Sequence, residues 1–366
     1  MTHPPSSTTD SNNTGPSAGP IAGPIAGIDL GGTNMQVGVV RFEQAEPGFS
    51  ILGRSKRKTK ADLGQAEVIE RIAVAIERAC EDAGVAVTDL AAVGLGAPGA
   101  IDPFTGIIHE AVNLRWNDLP IADLLRARLG VPIYLDNDVN VAIVGEHRLG
   151  AGRGASSLLG VWCGTGVGGG IILNNALHYG HFLTAGEIGH MRVLPTNPRG
   201  SRSLENNCSR SAISERVVKL IRANRTSLLA EITGGDFDRV KSSALGEAYH
   251  RGDALVTEVA DDAADLLAVH LAGLQTLLGF ERIILGGGLT EALGAPWVER
   301  IAQRVHLETF PDEAKGVRVL ATELDDDAGL LGAAVLAAER LGNAAYHAGR
   351  VPATPASQPL DPSPPA

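Results

Sequence analysis

Two glycine-rich turns, set far apart along the chain, constrain this sequence more than any other feature. The first is IDLGGTN, from Ile28 to Asn34, and the second is GTGVGGG, from Gly164 to Gly170. Extended-type residues flank both: Ala26 to Ile28 and Met35 to Val40 around the first, Leu158 to Cys163 and Ile171 to Leu173 around the second. A strand–glycine turn–strand unit can aim backbone N–H groups at phosphate oxygens, because glycine allows close approach and positive φ. One such run alone could be a surface turn. The pair predicts a nucleotide held between two lobes.

The commoner phosphate motifs do not account for these turns. No G-x-x-x-x-G-K-[ST] string occurs, so there is no P-loop. G-x-G-x-x-G occurs at Gly164, Gly166 and Gly169, and again at Gly94, Gly96 and Gly99. The dinucleotide fingerprint needs a helix directly after the glycines. After Gly170 comes IILNNALHYG, which reads as a hairpin, and the other match contains Pro98.

The 366 residues suffice for about two domains of ordinary size. Hydrophobic residues make up 44% and aromatic residues only 4%, a balance that favours α/β layers packed closely through small side chains. The net charge of −11 argues against a nucleic-acid partner, which calls for a basic patch. The nearest candidate, Arg54 to Lys60, reads as a solvated loop. Cys80, Cys163 and Cys208 are too widely spaced for a disulfide framework or a C-x-x-C pair. With no membrane-length apolar run and no signal-peptide pattern, the expected compartment is a reducing cytoplasm, with no membrane partner.

Residues 1–24 and 346–366 are rich in Pro, Ser and small residues, and are expected to be disordered tails. Between them, residues 26–30, 35–42 and 48–54 predict an antiparallel meander. A helix follows over 65–84, with Val68, Ile72, Ala73, Ile76 and Cys80 on one face. A strand near 92–96, a helix at 121–129, a strand at 132–135 and a helix at 139–149 complete the first half. The second half restarts with strands at 157–163 and 169–173. It continues with a helical stretch from Ser211, a long helix at 253–278, strands at 282–285 and 317–321, and a last helix at 328–340. Two halves that each open on a glycine-turned hairpin imply an internal duplication around a cleft.

These strings resemble the ROK family (repressors, open reading frames and sugar kinases), within the actin-like ATPase superfamily. The resemblance rests on GIDLGGTN (27–34), GLGAPGAID (94–102), NLRW (113–116), DNDVNVAIVGE (136–146), GTGVGGGII (164–172), AGEIGH (185–190), LGGG (285–288) and GLLGAA (329–334), in family order. It implies a two-lobed, ribonuclease H-like α/β duplication. An N-terminal lobe over 25–136 is completed by a C-terminal helix at 326–345, and a C-terminal lobe spans 137–325. It also implies an ATP-dependent hexose kinase acting on the 6-hydroxyl. Glucose is the expected substrate, with an N-acetylhexosamine or fructose as alternatives, and polyphosphate as an alternative donor. The resemblance also implies a homodimer or homotetramer.

Phosphoryl transfer needs held phosphates, a metal, an oriented hydroxyl and a group to take its proton. For the phosphates the candidates are Gly31, Gly32, Thr33 and Asn34 of the first turn and Thr165, Gly166, Gly168 and Gly169 of the second. Asp29 is placed to hold Mg²⁺ directly or through water, and its alternative role is a turn-capping carboxylate. Asp138, in the string Asn137-Asp138-Val139-Asn140, is the general base that the resemblance implies. Its alternative is a helix N-cap, a role for which Asp136 and Asn137 compete. The resemblance further implies that Glu187, His190 and Glu205 read the sugar hydroxyls, with Gly99, Asn113 and Asn137 assisting. On their own, Glu187 and His190 could equally be a metal pair or a surface ion pair. Gly286, Gly287 and Gly288 are expected beneath the adenosine, with a tight structural turn as the alternative.

One departure from the family is plain. The three cysteines that join a histidine in the usual zinc site fall here on Thr196, Pro198 and Ser203. A structural zinc site wants four N or S ligands, so no zinc is expected. A sugar-sensing repressor is the competing function. It would need a folded helix-turn-helix region ahead of the first strand, and the retained Asp29, Asp138, Glu187, His190 and Glu205 count against a non-catalytic regulator.

Overall fold

Strands β1 (Ile25–Leu30) and β2 (Asn34–Phe42) form the hairpin expected around the first glycine turn, with Asp29 opposite Gln36 and Leu30 opposite Met35. Gly31 N–H donates to Asn34 O at 2.9 Å to close it, and the buried Thr59 pins it by donating its hydroxyl to Gly31 O at 2.6 Å. The computed structural model describes residues 23–43, 48–238 and 240–342. The expected tails lie outside these described residues, apart from Gly23 and Pro24.

Among the described residues, β3 (Phe49–Lys58) and β4 (Ala92–Ala97) flank this hairpin. A small antiparallel sheet of β5 (Ala100–Asp102), β6 (Ile107–Ala111) and β7 (Trp116–Leu119) follows, and β8 (Ile133–Asn137) returns to the first sheet. The second half supplies β9 (Leu158–Cys163), β10 (Val167–Leu173), β11 (Ala176–Leu177), β12 (Arg282–Gly286) and β13 (Arg318–Ala321). The first large sheet runs β3-β2-β1-β4-β8 and the second runs β11-β10-β9-β12-β13. In each, the first three strands are antiparallel and the last two join in parallel. The two halves therefore repeat one topology, as an actin-like duplication requires.

Helices α1 (Gln65–Ala83) and α2 (Ile121–Leu129) cover the outer face of the first sheet. α3 (Asp138–Leu149) leads into the second half. There α4 (Glu205–Cys208), α5 (Arg210–Arg222), α6 (Leu229–Ile232), α7 (Ser242–His250), α8 (Ala254–Leu278), α9 (Gly288–Leu293) and α10 (Ala295–Glu308) follow. α11 (Ala328–Leu341) crosses back onto β1 and β4. Side chains of α3 and α11 share one core cluster with Ile25 of the first sheet and Leu158 and Ile284 of the second. These two helices touch almost backbone to backbone: a Cβ added to Gly332 would stand 1.7 Å from Val141 O. Two further cores lie on the outer faces. Cys80 is buried in the one beneath the first sheet, Cys163 and Cys208 in the one beneath the second.

Burial pushes the Cys80 thiol up to about 11 and the Cys163 thiol up to about 12, and it drives Cys208 upward as well. The Asn174-Asn175 pair turns β10 into β11 with φ of 52° and 62°, the two positive angles of a type I′ turn. This confirms a hairpin, not a helix, after the second glycine run.

The basic run Arg54 to Lys60 is not a loop. Arg54 to Lys58 continue β3, paired with Gly38 to Asn34, because an edge strand tolerates alternating charge. Asp327 anchors it, accepting two bonds from the Arg54 guanidinium at 2.6 Å each.

Candidate active site

The turn from β8 into α3 builds the centre of the site. Asn137 is the N-cap: its Oδ1 accepts from Val139 N–H at 2.9 Å and Asn140 N–H at 3.2 Å. Asp136 is buried instead, accepting from Asn137 N–H at 2.8 Å and Asn140 Nδ2–H at 3.0 Å. With the cap and the buried position filled, Asp138 begins the helix with its side chain lining a cavity of about 800 Å³ between the two sheets.

Its carboxyl is pushed up to about 6, by burial first and by the charge of Glu187 second, against hydrogen bonds that favour the charged form. Asp29, at the end of β1, lines the same cavity and is pushed up to about 7 by burial, then by Asp138 and Asp326, with Lys56 opposing. Two raised carboxyls facing one cleft are the kind of arrangement found where acid–base or metal chemistry is done.

Strands β9 and β10 bring the second glycine run to the opposite wall. Gly164 N–H donates to Gly166 O at 2.9 Å, and the turn is clipped onto α5: Arg210 N–H donates to Gly164 O at 2.9 Å and Ser211 Oγ to Thr165 O at 2.9 Å. The Arg210 guanidinium donates to Thr165 Oγ1 at 3.0 Å, which places a cation at this turn. Thr165, Gly166, Gly168 and Gly169 all line the cleft. Gly168 and Gly169, expected in the turn, are already inside β10. There a Cβ on Gly168 would stand 2.6 Å from Val139 Cγ2 and one on Gly169 2.6 Å from Gly186 O, so both have a packing reason to be glycine.

Glu187 and His190 line the cleft beside this wall, their side chains 3.9 Å apart. Glu205 opens α4 and reaches back to the turn, where its Oε2 accepts from Val167 N–H at 3.0 Å. A Cβ on Gly166 would stand 2.3 Å from that oxygen. Gly99, Asn113 and Asn137 complete the lining from the first half.

The loop that would carry zinc cysteines is bracketed by hydrogen bonds. Arg192 bridges to Ser203, Leu204 N–H donates to Met191 O at 3.0 Å, and Ser203 Oγ donates to Asn206 Oδ1 at 2.6 Å. Cys208 is buried, with its Sγ directed at Ala263 O at 3.3 Å. No group of three metal-ligating side chains gathers among the described residues.

The first turn and the third glycine run border the cleft only in part: a Cβ on Gly32 would stand 3.2 Å from Cβ of the cleft-lining Asn113. Gly31, Gly32 and Asn34 are not among the cleft-lining residues, and Thr33 lines an adjoining cavity of about 1150 Å³ with Arg210, Ser211, Ser214, Lys241 and Ser242. Asn34 belongs to the hairpin closure described above. Gly287 and Gly288 line the cleft, whereas Gly286 does not: it packs against the Trp162 ring. At Gly287, φ is 88° and a Cβ would stand 2.7 Å from Cys163 O, so a tight structural turn is also present here.

Gln36, Tyr179 and Asp326 also line the cleft, and Arg210 lines the second cavity, although none belongs to a motif named above. Gln36 was legible from hairpin register with Asp29. The others arrive from separate elements and carry no local signal.

The sequence profile of the ROK family matches residues 25–340. The glucokinase of Halalkalibacterium halodurans is 32% identical over 313 residues, covering 83% of this chain and 92% of the relative. The glucokinase of Thermotoga maritima is 32% identical over 323 residues, covering 86% and 97%. The crystal structure of a ROK family glucokinase from Streptomyces griseus in complex with glucose and AMPPNP superposes with a TM-score of 0.75 at 32% identity, covering 87% of this chain and 100% of that one. Topology, site strings and these likenesses agree: the chain belongs to the ROK family and has its actin-like ATPase fold.

Proposed function

We propose that this chain is an ATP-dependent sugar kinase that phosphorylates glucose at its 6-hydroxyl. The observation that carries this reading is the meeting of Asp138, Asp29 and the Thr165–Gly166 turn with Glu187, His190 and Glu205 around one cleft. Asp138 takes the proton of the attacking hydroxyl; its raised pKa keeps it basic enough to accept that proton and still ionised at neutral pH. Glu187, His190, Asn113 and Asn137 read the remaining hydroxyls, each of which both donates and accepts. The Thr165–Gly166 backbone and the Arg210 guanidinium hold phosphate oxygens.

The donor set around Asp29 fits Mg²⁺, since that ion takes one or two carboxylates with phosphate oxygens and water, and the acidic surroundings that raise Asp29 favour a cation. Mg²⁺ bound with ATP neutralises charge on the transferred phosphoryl group. Gly287 and Gly288, which line the cleft, would lie beneath the adenosine end of ATP. We place the two lobes at 25–136 with α11, and at 137–325, with cytoplasmic action as a dimer or tetramer; residues 343–345, expected to extend that last helix, lie outside the described residues. No helix among the described residues is long and apolar enough to cross a membrane.

A coupled ADP-release assay across hexoses and N-acetylhexosamines tests this reading. The expected result is turnover with the highest kcat/KM on glucose. A chain that releases no ADP with any sugar would overturn it. The hydrogen-bonded bracket around Ser203 takes the place of zinc in holding His190 and Glu205, so metal analysis should find less than stoichiometric zinc. EDTA followed by excess Mg²⁺ should leave activity intact; one zinc per chain would sink this part.

A further inference from the structure

We propose that Tyr179 is a positioning residue that ties the sugar-reading loop to the turn carrying Asp138, through the buried Asp136–Arg340 pair. The inference rests on the reading of Asp138 as general base. Asp136 ends the first sheet and Tyr179 follows the last hairpin strand of the second, so their contact crosses between the halves. Asp136 Oδ2 accepts from the Tyr179 hydroxyl at 2.5 Å and from the Arg340 guanidinium. Arg340 also donates to Leu135 O at 2.7 Å and to the Tyr179 oxygen at 2.6 Å.

The other carboxylate oxygen, Oδ1, receives the Asn137 N–H and the Asn140 amide. Asn137 precedes Asp138 and Asn140 lies one helical step beyond Val139, so the carboxylate of Asp136 holds the backbone just before the base and a side chain of the helix turn just after it. A buried ion pair of this kind is weak evidence for stability, because desolvation offsets much of the attraction. Its value here is orientation.

Tyr179 carries that orientation across the cleft. Ala185 N–H donates to Tyr179 O at 3.0 Å, which closes the segment 179–185 on itself just before Glu187. The Tyr179 hydroxyl therefore sets the loop that presents Glu187 against the same carboxylate that sets Asp138. A small error in either position costs rate, since turnover depends steeply on sub-ångström alignment of base and hydroxyl. Phe104 packs edge-on against the Tyr179 ring at 5.6 Å, so the ring has a support independent of its hydroxyl.

Tyr179→Phe in the full chain deletes the hydroxyl and keeps the ring. The expected result is a kcat lower by about 10-fold and a glucose KM raised by a similar factor, with the KM for MgATP within about twofold of wild type. A thermal melt establishes that the variant is folded. Values of kcat and glucose KM both within about twofold of wild type would overturn the inference alone. A rise of both KM values together, with a lowered melting temperature, would also overturn it, because a merely structural role predicts that pattern. A wild-type chain inert toward every sugar would overturn the functional reading, and this inference with it.

Discussion

The role proposed for Asp138 follows from what its neighbours do. Asn137 caps the helix and Asp136 is spent on Arg340 and Tyr179, which leaves the third polar side chain of the turn to face the cleft. Asp138→Asn keeps the size and removes the base. It should lower kcat by about 10²–10⁴-fold, while glucose binding measured by calorimetry changes little. The pH dependence follows from the same carboxyl. The base works ionised, so kcat/KM for glucose at saturating MgATP, where the cation keeps Asp29 ionised, should be level at neutral pH and fall as pH drops through about 6, where burial has moved its titration. A profile still flat at pH 5 would remove Asp138 from the role.

At the scale of elements, glycine content reports how closely helices approach. Gly332 of α11 meets Val141 of α3, and Gly27 and Gly94 meet α11 from the sheet, each with its missing Cβ under 2 Å from a backbone oxygen. Gly332→Ala forces those helices apart. Overpacking costs about 1–3 kcal/mol and sometimes more, so a lowered midpoint in urea is expected. The large elements were legible in sequence because their apolar periodicity or β-branched runs are local properties: α1, α8 and both hairpins fall within a residue or two of expectation. The sheet of β5 to β7 was not, because its strands are only 3 to 5 residues long and their partners define them. α9 and α10 were hidden by the Gly286–Gly288 run and by Pro296, which the first turn of α10 accepts. Site motifs were legible where the chain brings several roles into one string, as in Asp136 to Asn140. Arg210 and Tyr179 reach Thr165 and Asp136 through folding alone, so no local pattern marks them.

For the whole molecule, the arrangement of its cysteines makes it self-reporting. Each of the three thiols is buried and held above its ordinary pKa, so none offers a thiolate to an alkylating reagent while the structure is closed. Cys80 belongs to the core under the first sheet; Cys163 and Cys208 belong to the core under the second. Mass-resolved alkylation should therefore be slow in native buffer and complete at three sites in denaturant. Because α3 and α11 join the two halves, simultaneous labelling of Cys80 with the other two would show the halves opening as one cooperative unit. Labelling of Cys80 alone would assign the first half as the part that breathes. Three unmodified side chains thus act as built-in clocks, and they time each half of the enzyme without a probe being added.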